Sequence, residues 1–235
     1  MPLALRIDVD NPFGYATRFR RQLNRLSINY GLIPRMTRLG YLDNAISLSK
    51  WLHVRSIQAT WFFRTVTCPT RSLLPLFTGA GDQINLHAER TSSVEDFQRE
   101  IAEWEKLCGN KVTGFSKHGS GKLKLSRMHD SKYEPSTLVE YARQLGLKYF
   151  IGNGTHYTEA FLREDDFTFI PSVFWLDRMG QYDEEDILER VAKYSADSPV
   201  VVLLHPVWWA QRPEMRFDFE WLVDNAEFVP IEDLL

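Results

Sequence analysis

Short apolar runs alternate with amphipathic stretches of helical period along the whole chain. The first run, Ala4–Val9, predicts a strand, and a basic segment of helical character follows it. Leu42, Ala45, Ile46, Ser49 and Leu52 recur near helical spacing and predict a helix over Tyr41–His53. The β-branched and aromatic run Ala59–Phe63 predicts a second strand, and Ile84–His87, past the Gly79–Gly81 turn, a third. The clearest helix is Val94–Leu107. Ser92 and Glu95 make a capping-box signature, Val94, Phe97, Ile101 and Trp104 share a face, and Gly109 stops it.

Lys111–Phe115 predicts a fourth strand and Gly119–Lys132 a loop rich in Gly, Ser and Lys. Pro135 opens a helix on which Leu138, Tyr141, Ala142 and Leu145 share a face, and Gly146 ends it. Strands follow over Leu147–Ile151 and within Phe167–Trp175, then a helix over Ile187–Tyr194. Pro199–His205 is so continuously apolar that it suits a strand buried on both faces of a parallel sheet. A helix around Trp221–Asn225, a short strand at Glu227–Val229 and a turn complete the chain. Regular alternation implies α/β architecture, and six or seven units without repeat or linker suit one reduced barrel over residues 1–235.

Composition narrows the class. With 44% hydrophobic, 25% charged and 13% aromatic residues, the chain is no disordered tail, fibre or coiled coil. A net charge of −3 argues against a nucleic-acid binder. No window approaches the roughly 18 apolar residues of a membrane span. Cys68 and Cys108 lack CxxC spacing, so neither a disulfide framework nor a cysteine zinc site is expected. The N-terminus runs straight into a strand without a secretory pattern, and the expected location is cytoplasmic.

The chemistry gathers at strand ends. Asp8 and Asp10 stand two apart and project from one face, where two carboxylates repel unless a cation or proton lies between them. An isolated Asp-x-Asp fits a solvated strand end equally well. His87, His118 and His205, however, close three further strands, and strand C-termini of a parallel barrel converge on the face that carries active sites. Such O/N donors suit zinc, and also cobalt, nickel or iron. His53, His129 and His156 show no such pattern and read as structural or solvated.

These motifs resemble those of the polysaccharide deacetylases, the carbohydrate esterase family 4 group that shares the nodulation-protein deacetylase domain, in a divergent form. Asp8-Val9-Asp10 resembles the first motif, Ala59–Phe63 the apolar second strand, Ile84–His87 the histidine motif, and Leu203-Leu204-His205-Pro206 the last motif. The resemblance covers nearly the whole chain. It implies a distorted (β/α)7 TIM-like barrel, a divalent metal, and hydrolysis of sugar N-acetyl groups or, in some branches, of small cyclic amides. It makes Asp8 the general base, Asp10 and His87 metal ligands, and His205 the general acid.

Three departures stand out. Thr91 occupies the position of a second histidine ligand, Ser116 that of an arginine supporting the base, and His118 that of a proline. His118 is the expected replacement ligand, with Glu89 the competing candidate. Loss of the arginine would raise the pKa of Asp8, and Lys117, pointing the other way along the strand, is a poor substitute.

For substrate contacts, Trp208 and Trp209 follow His205-Pro206 and are candidate sugar platforms, although core packing explains most tryptophans. Arg18, Arg20, Arg21, Arg25, Arg35 and Arg38 form an arginine-rich run, read as a solvated helix face or as recognition of a phosphate, with Arg18 and Arg21 foremost. A cytoplasmic deacetylase would act on a nucleotide- or lipid-linked N-acetyl sugar, a precursor in surface (O-antigen-type) polysaccharide biosynthesis. A sugar-binding barrel without catalysis is the alternative outside enzymology.

Overall fold

A computed structural model of the chain describes residues 3–120, 122–155, 162–176 and 200–235. Its strands are β1 (Leu3–Val9), β2 (Thr60–Phe63), β3 (Gln83–Ala88), β4 (Gly114–Lys117) and β5 (Tyr149–Gly154). They continue as β6 (Leu162–Glu164), β7 (Phe167–Ser172), β8 (Phe174–Trp175), β9 (Val201–Leu204) and β10 (Phe228–Val229). The sheet order is β6-β7-β5-β4-β3-β2-β1-β9-β8, with β10 also on β1. Among the described residues only the β6–β7 pair is antiparallel. Val173 alone separates β7, which pairs with β5, from β8, which pairs with β9. The chain thus bridges the two ends of the curled sheet, and seven staves circle a common interior. The sixth stave is bent in two, as a distorted (β/α)7 barrel requires.

Alternation along the strands separates two apolar clusters. Ile7, Val9, Trp61, Phe63, Leu86 and Phe115 face outward and pack with the helices. Ala4, Phe62, Tyr149, Ile151, Ile170 and Leu203 face inward and fill the barrel floor. Above that floor, on the same inward face, Arg6, Asp8, His87 and Ser116 are buried.

The helices are α1 (Arg18–Tyr30), α2 (Asp43–Val54), α3 (Pro75–Thr78), α4 (Val94–Cys108), α5 (Pro135–Gln144), α6 (Pro206–Gln211) and α7 (Pro213–Asn225). α4 begins at Val94 as its pattern predicts, but its cap is Ser93 rather than Ser92. Ser93 is its N-cap, accepting from the Asp96 amide, while the Ser92 hydroxyl donates to the Asp96 carboxylate. Gly109 ends α4 in the left-handed region (φ 75°). β4 starts at Gly114 rather than Lys111, because the Asn85 side chain takes up the Thr113 and Gly114 amides. The last helix is longer than its apolar pattern predicts, and α6 precedes it. The helix expected over Ile187–Tyr194 lies outside the described residues.

Gly114 is needed for space. A Cβ there would stand 2.3 Å from the ring of Tyr149, whose hydroxyl accepts from Asn85 Nδ2 (2.7 Å). Gly114→Ala is therefore expected to cost about 1–3 kcal/mol by overpacking. Calorimetry should show the melting temperature falling by roughly 2–4 °C per kcal/mol, and an unchanged melting temperature would refute the close-approach argument.

Candidate functional site

β1 places Arg6 and Asp8 inside the barrel and ends just before Asp10. Arg6 grips Asp8 bidentately, Nε to Oδ1 at 2.9 Å and Nη2 to Oδ2 at 2.6 Å. Its other donors reach the Gly152 carbonyl (2.7 Å) and Asn153 Oδ1 (2.9 Å) on β5. Burial raises the Asp8 carboxyl, but the Arg6 guanidinium, with His87, outweighs it and holds the group below its ordinary value. An arginine thus does support Asp8, from two residues before it rather than from position 116. The expected rise in the Asp8 pKa does not occur. The signal was the alternation itself, since Arg6 shares the inward face of Asp8. Lys117 points away, as its position predicts, and donates to the Asp130 carbonyl (2.6 Å). Burial pushes its ammonium down to about 8.

His87 and Ser116 are register partners across β3 and β4. His87 Nδ1 lies 2.7 Å from Ser116 Oγ, which in turn reaches Asp8 Oδ1 at 3.4 Å. A carboxylate only accepts, so the single hydroxyl proton of Ser116 goes to Asp8 and His87 Nδ1 donates to Ser116. That leaves the lone pair of His87 Nε2 facing Asp10 Oδ1 at 3.2 Å.

Asp10 is the hub. His118 Nε2 lies 3.6 Å from Oδ1, and His205 Nε2 lies 3.5 Å from Oδ2. Burial raises the Asp10 carboxyl, yet His118, His205 and His87 together take it well below the usual range. Burial, reinforced by the Arg64 guanidinium, pushes His118 down to about 4, so it is neutral near pH 7. Asp10 Oδ1 is buried without a hydrogen-bond partner. Donor atoms of Asp10, His87 and His118 all lie within 4.8 Å of one another. A buried, unpartnered carboxylate oxygen beside two imidazole lone pairs fits a divalent cation.

Behind these residues stands a layer of which sequence reasoning offered only Glu89, as a competing ligand, and missed Arg64, Ser126 and the role of His129. Glu89 accepts from Arg64 (2.8 Å) and Ser126 (2.6 Å) and lies 3.5 Å from His118 Nδ1, so it backs that histidine. Arg64 also donates to the Asp10 carbonyl. His129 is a positioning group: its Nδ1 accepts from the Leu125 amide (3.1 Å), so its Nε2 donates to the His118 carbonyl (2.7 Å). Thr91 is buried beside Asp130, its hydroxyl 3.5 Å from that carboxylate. His53 pairs with Asp82 (2.7 Å), and His156 lies outside the described residues.

The cleft at Asp8 and Asp10 is lined by Asn11, Asn44, His205 and Val207. Trp209 is not a platform. It is buried in the core against Trp51, with Arg216 over its ring at 4.4 Å. Trp208 is half-buried under Arg212. Arg18 and Arg21 stand on the exposed side of α1 and do not line the cleft.

No family model and no curated protein matches the sequence. Solved structures match its fold. A PuuE allantoinase superposes with a TM-score of 0.61 at 12% identity, over 99% of this chain and 88% of that one. A protein described as a probable polysaccharide deacetylase from Pseudomonas aeruginosa PAO1 gives 0.57 at 14%, over 99% and 89%. A CE4 family pseudoenzyme from Bacillus anthracis gives 0.51 at 14%, over 99% of this chain; the chain spans only 64% of that protein's length. The chain therefore shares the fold of these proteins, the distorted barrel that the motifs led us to expect.

In the unfolded chain His118 takes its proton near pH 6.5, and in the fold only near pH 4. Between those values the unfolded state holds the extra proton, so stability falls as pH drops through that window. Urea titrations of metal-stripped protein should show this decline, and His118→Gln should flatten it. An unaltered slope in the variant would show that other groups carry it.

Proposed function

We propose that the chain is a divergent CE4-type hydrolase that removes the N-acetyl group from a sugar carried on a nucleotide or lipid diphosphate. The observation that carries the reading is the Asp10–His87–His118 cluster beside an Asp8 gripped by Arg6. Asp10, His87 and His118 would hold the divalent ion, zinc first among those the donors suit. When bound, such an ion polarises the amide carbonyl and acidifies its water. Asp8, kept ionised and aimed by Arg6, takes the proton of the attacking water. His205 protonates the amine nitrogen as the C–N bond breaks, so acetate and a neutral amine leave. Ser116 keeps His87 in the tautomer that offers Nε2. The anionic carrier is supported by Arg18, Arg25 and Arg38, exposed cations without a side-chain partner among the described residues.

Two further readings have a specific support each. The allantoinase with a similar fold favours a small cyclic amide as substrate. The pseudoenzyme with a similar fold, together with Thr91 in place of a histidine, favours a sugar-binding barrel without turnover.

Purified protein should carry one divalent ion per chain by elemental analysis and release acetate from nucleotide- or lipid-linked N-acetylhexosamines. Asp10→Ala should lose the ion. Asp8→Asn and His205→Ala should retain it while kcat falls by about 10²–10⁴-fold. Ser116→Ala should weaken the ion by roughly 10–100-fold. Ring opening of cyclic amides without acetate release would move the reading to the second class. Sugar binding with no stoichiometric ion would move it to the third.

A further inference from the structure

The connection from β1 to β2 is longer than a barrel turn needs. Residues 10–42 precede α2, the helix that returns the chain to β2, and they insert α1. The insertion is tied to the C-terminal end of the barrel. Arg20 pairs with Asp43 in the first turn of α2 (2.8 Å), Arg35 donates to the Thr65 carbonyl just past β2 (2.8 Å), and Tyr15 donates to Asn11 beside the site (2.7 Å). α1 therefore forms part of the rim around the mouth.

Its outward side carries two rows. Arg18, Arg21 and Arg25 recur at i, i+3 and i+7, and Phe19, Leu26 and Tyr30 at i, i+7 and i+11 beside them, all exposed. Phe19 is 62% and Tyr30 61% exposed. Exposed Leu32 and Met36 extend the apolar row, and no carboxylate residue occurs between Asp10 and Asp43.

A second rim segment repeats this make-up independently. The loop after β4 is pinned from inside by Ser126 on Glu89 (2.6 Å) and His129 on the His118 carbonyl (2.7 Å). It turns outward Lys122, Leu123, Lys124, Leu125, Arg127 and Met128, all exposed, Leu123 by 76%. No carboxylate residue occurs between Glu105 and Asp130. Lys122, Lys124 and Arg127, like Arg18 and Arg25, have no side-chain partner among the described residues. In a chain of net charge −3, positive charge and exposed apolar surface thus coincide on one face. On α7, by contrast, exposed Phe217 and Trp221 stand among Glu214, Asp218, Glu220 and Asp224.

We infer that the barrel mouth is an interfacial docking surface for an anionic lipid bilayer. Basic rows meet the headgroup phosphates while the adjoining aromatic and aliphatic side chains enter the boundary below them. A soluble polyanion would engage the cations and leave the apolar rows in water, where contiguous patches of this kind are disfavoured. The inference goes beyond the hydrolase reading. It rests on that reading for one step only, the selection of a lipid-carried over a nucleotide-carried sugar.

Co-sedimentation of the full chain with vesicles tests it without turnover. Vesicles of phosphatidylcholine containing phosphatidylglycerol should pellet the protein in a salt-sensitive manner, and phosphatidylcholine alone should not. Arg25→Glu with Lys124→Glu should lower the partition coefficient by about tenfold or more. Phe19→Ser with Leu123→Ser should lower it at equal net charge, and Phe217→Ser should leave it unchanged. These residues are exposed, and circular dichroism verifies that each variant is folded. Absence of binding to the anionic vesicles at low salt, equal binding to both vesicle types, or full binding by the variants would overturn the inference. So would a stable dimer in light scattering that Phe19→Ser dissolves, since a second copy would then be the occupant.

Discussion

The pair of Arg6 and Asp8 inside the barrel is the constraint on which the rest of the site depends. Taking a guanidinium out of water costs several kcal/mol, and the ion partner recovers this only when the remaining donors are also met. Here they are met from across the barrel. Asp8 takes two donors, and the Gly152 carbonyl and Asn153 side chain take the others. Those acceptors are themselves fixed. Asn153 donates to the Lys117 carbonyl (2.7 Å), and a Cβ on residue 152 would stand 2.4 Å from the Pro171 carbonyl oxygen, so glycine alone lets β5 and β7 close there. One buried charge thus couples β1 to β5 and, through Asn153, to β4.

Well-packed apolar groups of the same volume are often as stable as a buried ion pair. The contribution of the pair is better sought in what it positions. Below it, Phe62, Tyr149, Ile151 and Leu203 make an apolar floor that keeps the local dielectric low. Above it, Asp10 meets three imidazoles. A carboxylate lying between that floor and those imidazoles would protonate if left alone, because burial disfavours its charge. Arg6 reverses that outcome, and Ser116 links the ionised group to the tautomer of His87.

Much of this was legible in the sequence because strand periodicity is a strong signal. The alternation placed Asp8 with Asp10 and marked the ends of β3, β4 and β9, which carry His87, His118 and His205. The same rule applied one step earlier would have found Arg6, whose charge makes it look misplaced in an apolar strand. What periodicity could not supply was contact between segments distant in the chain. Arg64 follows β2, Glu89 follows β3, and Ser126 and His129 share the loop after β4; apart from Glu89, which the sequence offers as a ligand candidate, each is an ordinary polar residue until the fold brings it behind His118. Trp209 misled for a related reason: proximity in sequence to His205 says nothing of direction, and one helical turn carries the ring into the core.

In the proposed reading, His118 would keep the donor count of a site whose motif position at 91 holds a threonine. Thr91 sits on a loop past β3, whereas His118 follows directly on β4, where the Ala88 carbonyl holds its amide (2.8 Å). The two histidines of such a donor set therefore rest on adjacent, hydrogen-bonded strands, β3 and β4. The change carries an electrostatic requirement. The Glu89 and Asp10 carboxylates draw the imidazole toward the protonated form, which has no lone pair to offer on either nitrogen, and burial is the first force against it. Arg64 counters both carboxylates, engaging Glu89 by its side chain and Asp10 through its carbonyl, and helps keep His118 neutral. Glu89 is in turn occupied by Arg64 and Ser126 and stands behind the cluster. In the proposed reading, the departure at Thr91 would be met by His118 with Arg64, Glu89 and Ser126 arranged behind it.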